Sequence, residues 1–217
     1  MTSSHDWAIL LAGDLHVSSR LRRQVAQARI IAADAGIRHA AALGREPQVW
    51  IGDFDSAPSG TKERYRHIPR LDFPADKDAT DGELAIAEAR RRGARRIFLL
   101  GAFGGCAAHS LAHMTQLAAL ASDGLAVMAS SGTEEAWGLS AGHHVLDIPQ
   151  GARFSLIGFS DLEGLDLEGA KWPLRAATIP LGSTHGLSNV AIAPAVSIRL
   201  MSGTGVVILS LPERNDA

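Results

Sequence analysis

Two acidic residues at the end of a short apolar run are the first candidates for chemistry in this sequence. Asp53 and Asp55 lie two residues apart in the segment Gly-Asp-Phe-Asp-Ser, which ends at Ser56. In an extended backbone both carboxylates project to the same side, where they repel each other unless a cation lies between them. Carboxylate and phosphate oxygens together are typical Mg²⁺ ligands, so this spacing indicates a magnesium–phosphate site. The alternative is a simple turn, because Asp and Ser commonly occur where a strand ends.

A second group of charged residues lies between positions 76 and 83, in the order Asp-Lys-Asp-Ala-Thr-Asp-Gly-Glu. Thr80 and Glu83 have the spacing of a capping box, in which a hydroxyl and an acid satisfy the first amides of a helix. That structural role does not require Lys77 or Asp81. A lysine beside acids that can hold a cation suits a polyphosphate, and the alternative is a solvated charge cluster.

A pair of glycines, Gly104 and Gly105, separates an apolar run from a helical pattern. Glycines let backbone amides approach a phosphate, and a helix N-terminus favours an anion. The turn is not a P-loop, because no Gly-Lys-Ser/Thr follows it. His109 and His113 could share one face of the next helix. Since no Glu follows the first His and no third ligand is evident, we interpret them as packing or substrate-facing residues rather than zinc ligands.

All three groups lie near the ends of predicted strands. Short runs that are apolar throughout alternate with helical patterns, which predicts a mostly parallel sheet covered on both faces. The predicted strands are 7–13, 29–34, 48–53, 95–101 and 124–130, and the predicted helices are 18–28, 37–43, 81–92 and 108–122. Ligands of such sheets bind beyond the carboxyl ends of the strands, where Asp34, Asp53 and Gly104 are expected.

After about residue 130 the helical periodicity ends and short β patterns separated by Gly and Pro follow. The predicted β segments are 143–148, 153–157, 174–179, 189–199 and 204–211, with a hairpin turn at 202–205. Trp172, which precedes Pro173, is a candidate stacking surface for a flat ligand. We therefore predict an α/β domain at 1–135 and an antiparallel β domain at 136–217.

The composition excludes several classes of protein. Lys and Arg number 21 against 23 Asp and Glu in 217 residues, and this net charge of −2 argues against a polybasic nucleic-acid binder or an electrostatic membrane anchor. The single cysteine, Cys106, excludes an intramolecular disulfide and a multi-cysteine zinc site. Residues 1–6 show no signal-peptide pattern, and no apolar run reaches the roughly 18 residues of a membrane helix. We expect a cytoplasmic protein without nucleic-acid or membrane partners.

Taken in order along the chain, these motifs resemble the thiamine pyrophosphokinase (thiamine diphosphokinase) family. The resemblance extends from about residue 30 to about residue 210. The Gly-Asp-Phe-Asp-Ser segment and the Lys-x-x-Thr-Asp-x-Glu segment are specific in combination. The motifs that carry the resemblance are Asp34-Ala35-Gly36, Gly52-Asp53-Phe54-Asp55-Ser56, Lys77-Asp78-Ala79-Thr80-Asp81-Gly82-Glu83, Gly101-Ala102-Phe103-Gly104-Gly105, His109, and Gly186-Leu187-Ser188-Asn189.

The resemblance implies a homodimeric enzyme that transfers pyrophosphate from ATP to thiamine with Mg²⁺, giving thiamine diphosphate and AMP. It implies a Rossmann-like parallel sheet with flanking helices, followed by an antiparallel β-sandwich, and active sites formed between subunits. Carried over by position, the catalytic and metal-binding residues are Asp53, Asp55 and Asp81. The expected nucleotide-binding residues are Asp34, Ser56, Lys77, Thr80, Gly104, Gly105 and His109, and the expected thiamine-binding residues are Ser188 and Asn189, together with Trp172.

The sequence departs from the family pattern directly after the two glycines. The family usually continues Arg-x-Asp-His, whereas here Cys106 and Ala108 stand in place of the Arg and the Asp. This removes a bidentate phosphate donor and a carboxylate. This departure favours, as one alternative, a relative that binds thiamine or nucleotide with little turnover. A related pterin pyrophosphokinase, which shares part of the pattern, is a second alternative, and an Mg²⁺-dependent phosphohydrolase with Asp53 as nucleophile is a third. The last class needs its Asp-x-Asp pair after the first strand, whereas here the pair follows the third predicted strand.

Overall fold

The computed structural model describes residues 5–54, 60–74, 76, 78–104 and 106–211. The chain divides into two compact units. The first unit holds the described residues up to His109 together with Ala129–Gly132. The second unit holds Ser110–Met128 together with the described residues from Thr133 onward. The chain therefore passes between the units more than once.

A parallel sheet forms the centre of the first unit. Five of its strands are β1 (Asp6–Leu10), β2 (Arg29–Ala33), β3 (Val49–Gly52), β4 (Arg70–Asp72) and β5 (Arg96–Leu100). They lie in the order β5-β1-β2-β3-β4, and every neighbouring pair among them is parallel. Apart from their first residues, β1, β2 and β5 are buried along their whole length, as expected for strands covered on both faces. The predicted parallel α/β architecture is confirmed.

Short helices connect these strands, and local sequence explains where several of them begin and end. They are α1 (Ser19–Gln24), a 3₁₀ turn (Asp34–Arg38) that continues into α2 (His39–Leu43), α3 (Thr61–Arg64), α4 (Asp81–Arg91) and the start of α5 (Ala107–Ser122). The Ser18 hydroxyl caps α1, and Gly44 ends α2 in a left-handed conformation. The sequence did not predict β4 and α3, because polar segments of three or four residues carry no clear periodicity.

Two antiparallel sheets make up most of the second unit. Its strands are β7 (Glu134–Leu139), β8 (Gly142–Leu146), β9 (Arg153–Gly158), β10 (Leu162–Glu168), β11 (Leu174–Ile179), β12 (Asn189–Val190), β13 (Val196–Leu200) and β14 (Gly205–Ser210), while β6 (Ala126–Ser130) lies where the chain crosses between units. One antiparallel run of neighbouring strands has the order β12-β9-β14-β7, and a separate four-stranded sheet has the order β11-β10-β13-β8. Phe154 and Val207 of one sheet and Leu165 and Ile198 of the other belong to one buried cluster, which confirms the predicted β-sandwich.

Two local predictions for this unit are wrong. The predicted strand at 189–199 is two strands, β12 and β13, which belong to different sheets and are separated by a break that contains Pro194. The turn at 202–205 does not close a hairpin, because β13 pairs with β8 and β10 whereas β14 pairs with β7 and β9. It carries the chain from one sheet to the other, and alternation along a strand does not reveal which strand will be its partner.

Two further strands, β7 and β10, lie outside the predicted β segments. In β10, acidic residues and a glycine separate the three leucines, and β7 begins with two glutamates.

Among the described residues, no helix is both long and apolar enough to cross a membrane.

Candidate active site

The carboxyl ends of neighbouring parallel strands bring several predicted site residues to one edge of the first unit. Asp34 follows β2, Asp53 follows β3, and Gly104 follows β5. Because all these strands run in the same direction, their carboxyl ends form a shared rim, which is the usual ligand-binding edge of an open α/β sheet. The expectation that Asp34, Asp53 and Gly104 follow strands at this edge is therefore confirmed, whereas their roles in binding remain predictions.

Asp34 is held against the end of the next strand. It begins the 3₁₀ turn with a positive φ of 41°. The indole Nε1 of the buried Trp50 donates a hydrogen bond of 2.8 Å to the Asp34 carbonyl oxygen. A Cβ added to Gly52 would lie 3.2 Å from the Asp34 Cα and 3.4 Å from its Oδ1. The absence of a side chain at position 52 therefore makes room for Asp34 at the rim.

The residue that follows Asp53 is anchored in the core. Phe54 has a φ of 61° and a buried side chain. Its ring packs edge-on against Trp50 with the ring centroids 4.7 Å apart, and the Arg70 guanidinium lies 5.5 Å from the Phe54 ring centroid. Asp53 itself is half-buried. Asp55 and Ser56, the next two predicted site residues, lie outside the described residues.

The predicted capping box at the start of α4 is confirmed. The Thr80 hydroxyl accepts a hydrogen bond from the Glu83 backbone N–H at 3.2 Å, and the Glu83 carboxylate accepts one from the Thr80 backbone N–H at 2.8 Å. Asp81 is the first residue of α4 and is half-buried. The box accounts for Thr80 and Glu83, and the Asp81 side chain is not part of it. Lys77 lies outside the described residues.

A carboxylate that the sequence analysis did not select, Asp14, lies against the glycine turn. The segment after β1 runs beside the segment after β5, and the backbone N–H of Asp14 donates to the Phe103 carbonyl at 3.0 Å. Gly104 has a φ of 84°, and a Cβ added there would come within 2.4 Å of the Asp14 Oδ2. An acid four residues beyond β1 is the only sequence signal for this position. Gly105 lies outside the described residues.

A histidine and an arginine hold the β1 loop from its other side. The His39 Nε2 donates a 2.9 Å hydrogen bond to the Gly13 carbonyl, and the Arg38 guanidinium donates to the carbonyls of Ala12 and Gly13 at 2.5 and 3.1 Å. The pKa of His39 is lowered, mainly because the residue is buried. The hydrogen bond to Gly13 opposes this lowering, and the nearby positive charge of Arg38 adds to it. A neutral imidazole is therefore favoured here, with Nε2 protonated.

The start of α5 presents exposed side chains. Cys106 and His109 are exposed, and so is Ala108. His113 is half-buried. At the two positions where the family has Arg and Asp, this helix start therefore carries no charged group. His109 and Ser110 supply the polar side chains in the first turn of α5.

The chemistry of the acidic residues suits magnesium. Asp53 and Asp81 offer hard carboxylate oxygens, as Mg²⁺ requires, together with Asp55. Among the described residues, no group of three or more His, Cys, Asp or Glu side chains is arranged to hold a metal ion. Because Asp55 is not among those residues, the metal-binding role of the three aspartates remains a prediction.

In the second unit the structure brings two of the predicted thiamine residues into direct contact. Asn189 is buried, and its side-chain Nδ2 donates to the Trp172 carbonyl at 2.8 Å while its Oδ1 accepts from the Trp172 N–H at 3.2 Å. Trp172 is 53% exposed, and the Lys171 ammonium lies 4.7 Å from its ring centroid. Ser188 precedes Asn189 with a φ of 57° and donates its backbone N–H to the Ser155 hydroxyl at 3.1 Å.

The fold combines a parallel α/β unit with an acidic rim and a β-sandwich unit with an exposed tryptophan. Comparison with known families agrees. The family model for the thiamin pyrophosphokinase catalytic domain matches residues 22–129, and the model for the thiamin pyrophosphokinase vitamin B1 binding domain matches residues 143–204. The chain belongs to the thiamine pyrophosphokinase family.

A sequence relative agrees with this assignment, and solved structures show the same fold. A thiamine pyrophosphokinase of Bacillus subtilis (strain 168) is 29% identical over 184 residues, which cover 83% of this chain and 86% of that protein. The crystal structure of the Bacillus subtilis thiamine pyrophosphokinase superposes with a TM-score of 0.83 at 24% identity, over 95% of this chain and 99% of that chain. Thiamin pyrophosphokinase from Candida albicans superposes with a TM-score of 0.77 at 14% identity, over 95% and 90% of the two chains.

Proposed function

We propose that this protein transfers the pyrophosphoryl group of ATP to the hydroxyl oxygen of thiamine, giving thiamine diphosphate and AMP, and that it requires Mg²⁺. The observation that carries the proposal is that the catalytic-domain model and the vitamin B1 binding-domain model match the same chain one after the other. The acidic rim and the exposed Trp172 support the proposal, because carboxylates suit a magnesium-bound polyphosphate and an aromatic face suits a cationic ring. We further propose a cytoplasmic homodimer with active sites between its subunits.

The first unit would bind the polyphosphate and stabilise its charge. Asp53, Asp55 and Asp81 would hold Mg²⁺, which, when bound, neutralises negative charge on the transferring phosphates. Gly104 would let backbone N–H groups approach a phosphate before α5, where the N-terminal end of the helix favours an anion. The hydroxyl oxygen of thiamine would attack the β-phosphorus, and AMP would leave. One of the three aspartates would accept the proton of that hydroxyl.

The second unit would hold thiamine through a cation–π contact. The thiazolium ring of thiamine is permanently cationic, and a tryptophan face is the best aromatic partner for a cation. The Lys171 ammonium already lies over the Trp172 ring. A bound thiazolium would therefore use the opposite face of the indole or displace the lysine. Ser188 and Asn189 belong to the same end of the site, as the family motif implies.

One alternative function has support from a specific observation. Cys106 and Ala108 provide no charge at the start of α5, which favours a protein that binds its ligands but turns them over slowly or not at all. The phosphohydrolase alternative has less support, because Asp53 follows β3 rather than the first strand of the sheet.

A product assay tests the proposal directly. The purified protein is incubated with Mg²⁺, ATP and thiamine, and AMP and thiamine diphosphate are measured by chromatography. Equal amounts of the two products are expected, with neither formed when thiamine is left out. Product from a hydroxymethyl pterin but not from thiamine would move the assignment to a pterin pyrophosphokinase. Tight calorimetric binding of thiamine without product would establish the binding-only alternative.

A further inference from the structure

The side chain of Asn189 has its hydrogen-bonding capacity directed at the protein backbone. Its Oδ1 accepts from the backbone N–H of Trp172 at 3.2 Å and from that of Val190 at 2.9 Å, and its Nδ2 donates to the Trp172 carbonyl at 2.8 Å. Only 6% of the residue is exposed. An amide group buried in this way, with both lone-pair directions and one N–H in use, has little capacity left for a ligand.

These bonds extend a backbone ladder to Trp172. The Lys171 N–H donates to the Val190 carbonyl at 2.8 Å, and the Ile192 N–H donates to the Gly169 carbonyl at 2.8 Å. The next pair along the ladder is made by the Asn189 side chain instead of a backbone group. The segment that carries the exposed indole is therefore fixed up to Trp172 itself.

Both flanks of this contact are also restrained. Pro173 restricts the residue before it to extended conformations and has no N–H with which to continue the ladder. On the other side, the backbone of Asn189 pairs with Phe154 of β9, so the amide group is carried by a strand of the sandwich. The exposed Trp172 ring thus stands on a backbone whose position is set by a buried side chain.

We propose that Asn189 is a positioning residue for thiamine, which fixes the Trp172 ring for stacking and makes no contact with the ligand itself. The inference rests on the proposed function, because it assumes that thiamine stacks on Trp172. Through this contact Asn189 would lower the KM for thiamine without altering the binding of ATP. A merely structural role would change stability but would not separate the two substrates in this way.

Two substitutions and one control test the proposal. Asn189→Leu removes all three hydrogen bonds at similar volume, and Asn189→Asp keeps an acceptor for the two N–H groups but loses the donor to the Trp172 carbonyl. Ser160→Ala is the matched control, because the Ser160 hydroxyl accepts a 3.0 Å bond from the Thr204 N–H elsewhere in the same unit. We expect the thiamine KM to rise about tenfold for Asn189→Leu and about threefold for Asn189→Asp, with the ATP KM within about twofold and no comparable change for Ser160→Ala.

A double-substitution cycle separates positioning from contact. If Asn189 acts through the indole, adding Asn189→Leu to Trp172→Ala raises the thiamine KM by no more than about twofold beyond Trp172→Ala alone. If Asn189 bound thiamine directly, its loss would still add about tenfold in that background, and the proposal would be overturned.

A measurement without ligand keeps the inference separate from the proposed function. The fluorescence anisotropy of Trp172, taken as the difference between the wild type and Trp172→Phe, is expected to fall in both Asn189 variants, with circular dichroism confirming the fold. Unchanged Trp172 anisotropy in both variants overturns the positioning role whether or not thiamine binds. The opposite outcome is also informative. If thiamine does not change the Trp172 emission of the wild type, the assumed stacking is overturned. If the Trp172 anisotropy nevertheless falls in the Asn189 variants, the anchoring contact stands.

Discussion

Gly52 and Asp34 approach each other so closely at the rim of the parallel sheet that a Cβ on residue 52 would lie 3.3 Å from the Cβ of Asp34. Neither residue is adjacent to the other in sequence, and the contact exists because β2 and β3 are parallel neighbours. The strand end thus lacks a side chain at the position where the neighbouring strand presents a carboxylate.

Gly52→Ala is expected to displace Asp34 and to raise the KM for ATP about tenfold, equivalent to about 1.4 kcal/mol. Stability should fall by about 1–2 kcal/mol, because alanine is strained at the Gly52 backbone conformation. Gly124→Ala is the control: Gly124 also has a positive φ, but a Cβ there meets nothing within 4 Å. Steady-state kinetics and urea unfolding measure both effects. Equal ATP KM values in the two variants would show that Asp34 has no role in nucleotide binding.

Asp53→Asn is expected to lower kcat by about 10²-fold or more while the fold stays intact, since the substitution removes a charge that the reaction needs. Glu46→Gln is its matched control, because Glu46 precedes β3 whereas Asp53 follows it, and each change neutralises one carboxylate. Glu46 pairs with His67 at the surface over 3.1 Å. AMP release is measured for both proteins. Wild-type turnover by Asp53→Asn would remove Asp53 from the catalytic set.

Thr80→Ala is expected to reduce the free energy of unfolding by about 1 kcal/mol, because it deletes the hydroxyl that caps α4. Thr80→Ser retains that hydroxyl and should remain within a few tenths of a kcal/mol of the wild type. Urea denaturation measures the difference. If Thr80 also contacts nucleotide through its hydroxyl, the alanine variant alone will show a raised ATP KM. If Thr80→Ala and Thr80→Ser have similar KM values for ATP, the role of Thr80 is limited to capping α4.

Stability at low pH should depend on Glu88. The Arg91 hydrogen bond is the main cause that lowers the pKa of the buried Glu88 carboxyl to about 2, with Arg92 contributing a further hydrogen bond. Because the folded-state pKa lies below the unfolded value of 4.5, this contribution is present above about pH 4.5 and is lost as the pH falls toward 2.

Glu88→Gln should therefore lower the free energy of unfolding at pH 7 by about 1.5–3 kcal/mol, and the deficit should shrink as the pH falls below 4.5. Glu63→Gln provides the contrast, since the Glu63–Arg66 pair is 76% exposed on both sides and is expected to contribute under about 1 kcal/mol. Urea unfolding at pH 7, 5 and 3 distinguishes them. If the free energy of unfolding of the wild type and of Glu88→Gln changed equally with pH, the stabilising role of the Glu88–Arg91 contact would be contradicted.

Much of the fold was predictable because its signals are local. Runs such as Trp7–Leu10 are apolar throughout and buried on both faces, so length and composition alone indicate a parallel strand. The α4 start was equally predictable, since the Thr80 and Glu83 side chains meet within one helical turn. Short β4 and α3 escaped prediction for the opposite reason: with three and four residues, they contain no complete period.

The errors arose where partners are distant in sequence. Alternation identified β13 and β14 as strands but could not show that the turn between them leads to a second sheet. In the candidate site, the residues Asp34, Asp53 and Gly104 were identified from motifs. Asp14 was not, because its proximity to Gly104 depends on the adjacency of β1 and β5, which are separated by most of the first unit.

The sequence by itself determined the element types, the acidic and glycine motifs and, through their order, the thiamine pyrophosphokinase family. The tertiary structure alone decided which of these residues meet: Asp34 with Gly52, Asp14 with Gly104, and the Asn189 amide with the Trp172 backbone. The physical reason is that residue type and periodicity report on local conformation and burial. Contacts between distant residues depend on strand order and register, which are fixed only when the whole core packs.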